Sequence, residues 1–161
     1  MDLVTDLRVV MRRWVSGVVI VTSRFGDQIH GMTVDSFNSV SVDPPLVIFS
    51  LTKTTRTHAL VSQSGMVAIT MLHAGQKEIS ERFAGRMGEK DRFEGVNTFT
   101  MQTGIPLISG GMAFMEAKVV HQYAMPTSTL FVVQVISMAK NEDSEPLVYF
   151  DRDYHRLEYE P

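Results

Sequence analysis

The chain has 161 residues, 44% of them hydrophobic, and we expect it to form a single domain with its own core. Its net charge of −3 argues against binding to nucleic acids or anionic membranes, because contact with a phosphate backbone normally leaves a basic surplus. The absence of cysteine excludes disulfides, thiolate metal centres and cysteine nucleophiles, and it is compatible with the cytoplasmic location that we expect.

The N-terminal segment is predicted to be an amphipathic helix. Its apolar stripe consists of Leu7, Val10, Met11 and Trp14. The residues off this stripe are Arg8, Arg12 and Arg13, which we expect to form a solvated face. Because charges interrupt the apolar pattern, the segment is not predicted to be a signal peptide. No later stretch reaches the roughly 20 apolar residues that span a bilayer.

The next segments have the composition of β-strands. Residues 15–23 are apolar and β-branched, and after a short FGDQ turn the extended pattern resumes at residues 29–34, which predicts a hairpin. Residues 37–42 alternate until Asp43, Pro44 and Pro45 impose a turn, since proline cannot donate to a strand ladder. Residues 46–51 then favour a buried strand.

Two short helices and a long loop are predicted in the middle of the chain. Residues 57–63 favour a helix with a hydroxyl residue as N-cap and Gly65 at its end, and residues 66–72 favour a strand. The 76–86 segment pairs Ile79 with Phe83 at helical spacing. Residues 87–112 are glycine-rich and weakly patterned, so we expect an excursion over the surface that serves as a lid or a partner contact.

The last third of the chain returns to β-structure. Strands are predicted at 113–123, 130–140, 147–150 and 154–159, with turns at 125–127, 143–146 and 151–153. Seven or eight short strands with two or three helices predict a mainly β protein. We expect a β-barrel with flanking helices, because so many strands close more readily than they stay open-edged.

The segment between Gly31 and Thr57 carries most of the functional signal. It reads GMTVDSFNSVSVDPPLVIFSLTKTTRT, two hydroxyl-rich stretches separated by a double proline and a short apolar strand. Its first half places small polar side chains where a strand bends, so that backbone and hydroxyl groups can face a planar heterocycle. By periodicity alone, a half-buried strand with a polar wet face explains this half better.

The second half, TKTTRT, offers hydroxyls and two cations just before a predicted helix. One interpretation is a polar turn in which Thr55 or Thr57 caps that helix. The other is an anion site, because Lys53 and Arg56 lie among the hydroxyls and next to a helix N-terminus. Taken together, these features favour a phosphate slightly.

Other kinds of site find no support in the sequence. The histidines lack the spacing of metal ligands, so we expect no metal site; they are His30, His58, His73, His121 and His155. There is no G-x-S-x-G, no Walker loop and no G-x-G-x-x-G. A dinucleotide bound by this chain would therefore bind without a Rossmann fold.

Several blocks occur in an order that points to one family. The run GMTVDSFNSVSVDPPLVIFSL is followed by TRTHALV, by Q-x-x-x-S-x-x-F-A from Gln76, by Asp91-Arg92-Phe93-x-Gly95-Val96 and by PLVYFDRDYHRL. From about Arg13 to Leu157 the chain closely resembles the short flavin reductases of the FMN-binding split-barrel superfamily, which are the reductase partners of two-component flavin monooxygenases.

The resemblance implies a homodimeric, Greek-key split β-barrel with two or three flanking helices. Such a protein holds FMN, or sometimes FAD, near the subunit interface and passes hydride to it from NADH or NADPH. The reduced flavin then leaves or is handed to a monooxygenase. The choice between the two flavins, and between the two nucleotides, stays open at this stage.

Site residues follow from the resemblance, position by position. The edge of the flavin ring would be lined by Met32, Thr33, Val34, Asp35, Ser36 and Phe37. Leu51, Thr52 and Lys53 would lie beside the ring and ribityl chain. The phosphate would be held by Thr54, Thr57 and a cation, either Lys53 or Arg56. Arg82 and Phe83 would close the phosphate end of the site. The open flavin face would lie near Tyr154 and Arg156.

This chain departs from the pattern of that family in a segment associated with hydride delivery. Many members of that family carry Gly-Asp-His just before the strand that contains Leu130, whereas this chain has Pro126-Thr127-Ser128. Ser128 thus replaces the histidine associated with nicotinamide binding, and it is our candidate residue for that site. Serine can hydrogen-bond a carboxamide but cannot carry a positive charge.

Two other functions remain open on the sequence. The first is a non-enzymatic flavin carrier or redox sensor built on the same barrel. The second is a cofactor-free dimeric interaction domain, in which the hydroxyl-rich runs only cap and turn. The motifs of a pyridoxamine-phosphate oxidase, which shares the barrel architecture, are not seen.

Overall fold

The computed structural model describes residues 2–88, 91–141 and 144–158. Its α-helices are α1 (Leu3–Met11), α2 (Arg56–Ser64) and α3 (Lys77–Phe83), and a 3₁₀ turn at Ala74–Gln76 precedes α3. The strands of the first half are β1 (Ser16–Gly17), β2 (Val19–Phe25), β3 (Gln28–Val34), β4 (Asn38–Ser41), β5 (Leu46–Thr52) and β6 (Met66–Met71). Those of the second half are β7 (Thr98–Phe99), β8 (Leu107–Ile108), β9 (Ala113–Ala124), β10 (Ser128–Lys140), β11 (Val148–Phe150) and β12 (Asp153–His155).

Seven strands form one antiparallel sheet in the order β3-β2-β6-β9-β10-β5-β4. The sheet curls so that the chain leaving β3 meets β5, where the Ser50 amide donates to Ser36 Oγ at 2.9 Å. The fold is therefore the mainly β split barrel with three flanking helices that we predicted. A second sheet, β1-β11-β12, joins the strand after α1 to the last strands of the described chain.

The interior of the barrel is an apolar cluster centred on Phe49 and Phe131, whose rings stack 5.6 Å apart. A second cluster lies between α3 and β2, where Phe83 packs with Ile20 and Leu147. Because β2 contributes to both clusters, its residues from Val19 to Ser23 are buried on both faces. This double burial explains why the strand is continuously apolar rather than alternating.

The predicted hairpin and the second helix both form, with local features close to those expected. β2 and β3 pair in register from Val19 with Val34 to Phe25 with Gln28. Thr55 caps α2 by accepting a hydrogen bond from the His58 amide, and Gly65 ends it at φ 66°, a left-handed conformation that favours glycine.

Four expectations differ from the structure, and one is the last strand, since β12 spans Asp153–His155 rather than residues 154–159. None of the residues of α1 is buried, and Trp14 lies beyond the end of that helix, so the apolar stripe does not pack on the core. α3 is shorter than predicted and ends at Phe83. The expected surface excursion is wrong for Ile105, Leu107 and Ile108, which are buried: Ile105 and Leu107 pack with residues of β6 and β9, and Ile108 belongs to the second cluster. Residues 89–90, 142–143 and 159 of the predicted segments lie outside the described residues.

A buried carboxylate explains how the 99–108 segment is drawn inward. Glu116 on β9 is fully buried, and it accepts hydrogen bonds from the amides of Gln102 and Thr103 and from the Thr103 hydroxyl. Charged acceptors paired with several donors tolerate burial. Across the described residues, no helix combines the length and the apolar character that a bilayer span requires.

Candidate functional site

A cavity of about 430 Å³ lies at the N-terminus of α2, and we name it the α2 cavity. Two of its sides are formed by β3 and by the start of α2, and Arg92 reaches it from the loop after α3. Its lining comprises His30, Met32, Thr33, Thr54, Thr55, Arg56, Phe83, Ala84 and Arg92. Two guanidinium groups thus face one cavity whose lining contains no carboxylate, which makes it suited to an anion.

The start of α2 adds hydrogen-bond donors to this cavity. The first amides of a helix have no partner within the helix, and the Thr55 hydroxyl takes only that of His58. The amides of Arg56 and Thr57 remain available to a ligand at the positive end of the helix dipole. The α2 cavity therefore combines two independent features of a phosphate site.

Arg92 is held in place by the fold. Its Nη1 donates to the carbonyl of Gly31 at 2.9 Å and to the carbonyl of Phe83 at 2.8 Å, so it joins β3 to the end of α3. Partial burial, followed by repulsion from Arg56, lowers the pKa of Arg92. Its ordinary pKa is so high that the group stays charged.

His30 forms the inner wall of the α2 cavity. Its Nδ1 shares a hydrogen bond of 2.8 Å with the hydroxyl of Thr57. Burial lowers the pKa of His30 to about 4, with further contributions from the charges of Arg92 and Arg56. The ring is therefore neutral at neutral pH, and the positive charge of the cavity comes from the two arginines.

A smaller cavity of about 150 Å³, the central cavity, shares Thr33 and Ala84 with the α2 cavity. The Thr33 hydroxyl donates to the Ser80 carbonyl at 2.6 Å, and the Ser80 and Tyr154 hydroxyls are 2.8 Å apart. The Tyr149 and Tyr154 rings lie 5.4 Å apart. The central cavity is therefore lined by polar residues of β3 and α3 and by two tyrosines.

A third cavity of about 400 Å³, the α1 cavity, shares Asp35 and Tyr149 with the central one. It lies between the end of α1 and the turn that joins β11 to β12. The three cavities form a continuous row, which we call the groove. Arginines line all three parts: Arg56 and Arg92 lie at one end, Arg8, Arg12 and Arg152 at the other, and Arg86 in the central cavity with the two tyrosines.

Many of the residues predicted for the site do meet in the groove. The residues that line it are Met32, Thr33, Asp35, Ser36, Thr54, Arg56, Phe83 and Tyr154. Sequence reasoning assigned no role to His30 and Arg92, although Arg92 belongs to the Asp91-Arg92-Phe93 block. The sequence did offer one signal for Arg92, namely a cationic residue within a recognised block for which no role had been assigned.

The remaining predicted residues lie elsewhere. Val34, Leu51 and Thr57 are buried, and the Thr57 hydroxyl is engaged by His30 rather than directed to a ligand. Phe37 lines a separate cavity with Met71 and Leu147. Arg82 donates to the Glu94 carbonyl. Like Val34, Leu51 and Thr57, the predicted residues Thr52, Lys53, Ser128 and Arg156 line neither the groove nor the cavity beside Phe37.

Ser128 begins β10, where it pairs with Thr52 of β5. The neighbouring Lys53 amide donates to the Thr127 carbonyl at 3.0 Å, so this corner is fixed by backbone hydrogen bonds. Ser128 and Lys53 therefore belong to one corner of the barrel. Among the described residues, no group of three or more histidine and carboxylate side chains could hold a metal ion.

Comparison with known proteins gives a consistent result. Residues 11–158 match the model of the flavin reductase like domain. The NADH-dependent flavin reductase of a Rhodococcus species is 34% identical over 155 residues, covering 94% of this chain and 85% of that protein. The reductase component of 4-hydroxyphenylacetate 3-monooxygenase from Thermus thermophilus is 30% identical, with 91% and 92% covered.

A solved structure agrees with these sequence matches. The NADH:FAD oxidoreductase of Streptomyces globisporus, in complex with NAD and FAD fragments, superposes with a TM-score of 0.90 at 29% identity. The superposition covers 98% of this chain and 94% of that one. The likeness extends over all the elements that build the groove.

Proposed function

The chain belongs to the flavin reductase like domain family, and from that premise we propose that it is an NAD(P)H-dependent flavin reductase. It transfers hydride from NADH or NADPH to FMN or FAD. We further propose that it supplies reduced flavin to a partner monooxygenase, as the names of its relatives suggest. The observation that carries the proposal is the α2 cavity, which brings two arginines and a free helix N-terminus to one end of a groove.

The groove fits a flavin phosphate at its α2 end. Thr54 offers a hydroxyl, Arg56 and Arg92 offer charge, and the amides at the start of α2 complete the donor set, whereas the Thr55 hydroxyl already donates to the Thr52 carbonyl. Met32 and Thr33 continue from this end toward the central cavity. We propose that the flavin ring lies on that side, along the edge formed by β3.

When bound, the flavin accepts hydride from the nicotinamide and later gives up its electrons. The task of the protein is to bind and orient. Arg92 and Arg56 fix the phosphate end, while the Thr33–Ser80–Tyr154 hydrogen bonds keep the wall of the central cavity in place. Because the central cavity is open to solvent, a nucleotide has access to it and reduced flavin can leave.

An anaerobic reduction assay tests this function. The protein is mixed with FMN or FAD and then with NADH or NADPH, and the visible absorbance of the flavin is followed. We expect the absorbance to bleach with at least one flavin and one nucleotide. If bound flavin stays oxidised with both nucleotides at saturation, the chain is a flavin carrier or sensor. If no flavin binds, the hydroxyl-rich runs only cap and turn.

We also propose that the protein is a homodimer. On β10 the residues that alternate with the buried ones are mostly apolar, and Val132 pairs with Ile48 of β5 on that outward face. Further along, Ile136 is 43% exposed and Met138 is 67% exposed. Such a face on a curled sheet is suited to a second copy. Light scattering of the purified protein distinguishes a dimer from a monomer, and Met138→Glu should favour the monomer.

Two further statements about the whole chain are proposals of the same kind. We propose that residues 1–161 form one flavin-binding domain. The family match spans residues 11–158, and the second apolar cluster joins Ile20 of the large sheet to Tyr149 and Tyr154 of the small one. We propose a cytoplasmic location, because a chain without cysteine is compatible with a reducing compartment.

A further inference from the structure

The α1 cavity has the features of a binding site that the phosphate of a flavin does not use. Arg8, Arg12 and Trp14 line it from the side of α1, and Tyr149 and Arg152 line it from the strand β11 and the turn after it. Its volume of about 400 Å³ is comparable to that of the α2 cavity. It is therefore large enough to be a second subsite of the groove.

One polar atom in this cavity lacks a partner. The Nε of Arg12 is buried and has no hydrogen-bond acceptor among the described residues. Buried donors are nearly always paired, and an unpaired one on a charged group is costly. With Arg8 and Arg152 the lining carries three cations against two carboxylates, those of Asp35 and Asp151. The lining thus carries a net positive charge, and its Arg12 has an unpaired Nε that is buried beneath the cavity surface.

The position of Arg152 is strained. It adopts φ 68° and follows Asp151 at φ 47° in the turn between β11 and β12. Aspartate tolerates this left-handed region, whereas glycine is the usual second residue of such a hairpin turn. The turn is held against α1 by the Asp151 amide, which donates to the Arg12 carbonyl at 3.2 Å. Strained backbone positions of this kind concentrate at ligand sites.

The place of the α1 cavity in the groove identifies its ligand. It joins the central cavity through Asp35 and Tyr149, at the end opposite Arg56 and Arg92. FMN has one phosphate, which the α2 end already accommodates. The cations at this second end favour a second anionic group, and the exposed ring of Trp14 and the half-buried ring of Tyr149 offer surfaces for a base to stack on.

We propose that the α1 cavity binds the ADP portion of a dinucleotide, the part that NADH and FAD have in common. Arg8, Arg12 and Arg152 hold the diphosphate, and Trp14 stacks on the adenine. This inference rests on the proposed function, because it names where the second nucleotide of that reaction is held. It also assigns a role to the basic residues of α1 that the sequence predicted to be merely solvated.

The test uses the double variant Arg8→Ala with Arg152→Gly and the control Arg13→Ala. Arg13 is exposed, adjoins Arg12 in the sequence and does not line the groove. ADP is titrated calorimetrically into each protein. We expect the double variant to bind ADP about tenfold more weakly than the wild type, since two charge-assisted contacts are lost, and the control to be unchanged.

Thermal unfolding separates binding from folding. Glycine removes the strain at position 152, so the double variant should melt at the same temperature as the wild type or higher. A purely structural role for these arginines would instead give a lower melting temperature with ADP affinity intact. That result overturns the inference, as does a wild type that binds ADP no better than the double variant.

Two kinetic measurements identify the source of the ADP group. With FMN as the flavin, a raised KM for NADH in the double variant assigns the cavity to the nicotinamide nucleotide. A loss of affinity for FAD relative to FMN, with the KM for NADH unchanged, assigns it to the flavin. No change in either overturns the inference. Wild-type protein that binds ADP but never reduces FMN would refute the proposed function and leave the cavity assignment standing.

Discussion

The two ends of the groove both carry arginines, but the fold holds them in different ways. At the α2 end, Arg92 is pinned by two carbonyls and His30 is tied to Thr57. At the α1 end, Arg8 and Arg152 are exposed, and Trp14 is 69% exposed. A preorganised end loses little entropy on binding, whereas an open end exchanges its ligand readily. The difference suits a protein that keeps one ligand oriented while another comes and goes.

The largest effect should come from adding a side chain at Gly31, whose carbonyl accepts a hydrogen bond from Arg92. A Cβ on Gly31 would lie 2.8 Å from Thr22 Cγ2 and 3.1 Å from Phe83 Cε1. Thr22 cannot turn away, because its hydroxyl donates to Pro106 and Ala68. Gly31→Ala should therefore destabilise the fold by about 2 kcal/mol and weaken FMN binding, as measured by chemical unfolding and flavin fluorescence.

Gly17→Ala is the matched control for this variant, since nothing lies within 4 Å of its added Cβ. It should change the free energy of unfolding by less than about 0.5 kcal/mol. If both variants behave alike, the α2 end is not as rigid as the structure indicates.

The second variant removes charge from the α2 end without touching its scaffold. Arg56→Ala should weaken FMN about tenfold and leave riboflavin unaffected, because only FMN carries the phosphate that we propose Arg56 to bind. Lys53→Ala is the control, as Lys53 is exposed and lines no cavity among those of the described chain. Fluorescence quenching measures both affinities. Equal losses for the two flavins would contradict the phosphate assignment.

The third prediction concerns pH. The unfolded chain protonates His30 near pH 6.5, whereas the folded chain does so only near pH 4. Between these values the unfolded state binds the additional proton, so stability is lost as the pH falls from 6.5 toward 4. Because the ring is half-buried and water screens it, we expect about 1 kcal/mol from this group.

Thermal melts between pH 4 and pH 7 check this expectation. The stability of His30→Gln should depend less steeply on pH than that of the wild type. Burial also lowers the pKa of His58, so the difference between wild type and variant, rather than either curve alone, isolates His30. Parallel curves would show that His30 is not held neutral by the α2 cavity.

The smallest effect is expected at Ser128, which lies at the corner of the barrel with Thr52. Ser128→Ala should change the KM for NADH less than about threefold and leave FMN affinity intact, because a single hydroxyl is removed. Steady-state kinetics with FMN as the flavin measure the change. A large loss of flavin binding would mean that this corner supports the α2 end after all.

Sequence patterns predicted most of the elements, although not β7 and β8, and only part of the site. The β2–β3 hairpin and the caps of α2 depend on residues close in sequence, so turn and cap residues predict them. The hydrogen-bond partner of the Thr57 hydroxyl is instead His30, which lies 27 positions away in the sequence. A hydroxyl at a helix start can face a ligand or a buried neighbour, and only the packing decides between them.

The same limit applies to Arg92. It contacts the carbonyl of Gly31 across 61 residues, and nothing local in the Asp91-Arg92-Phe93 block indicates that contact. The apolar stripe of α1 is a different case, because here a local pattern was present but did not predict burial. Its helical period is correct for α1, but periodicity says only that a face is apolar, not that the described chain covers it.

The β1–β11 pairing has a consequence for protein synthesis. Tyr149 pairs with Ser16, and Tyr154 reaches back to the Ser80 hydroxyl. The tyrosine wall of the groove is thus among the last parts of the described chain to leave the ribosome, long after the barrel strands have been made. A nascent chain has no finished groove until Tyr154 has emerged, so flavin capture is delayed until translation of this region is almost over.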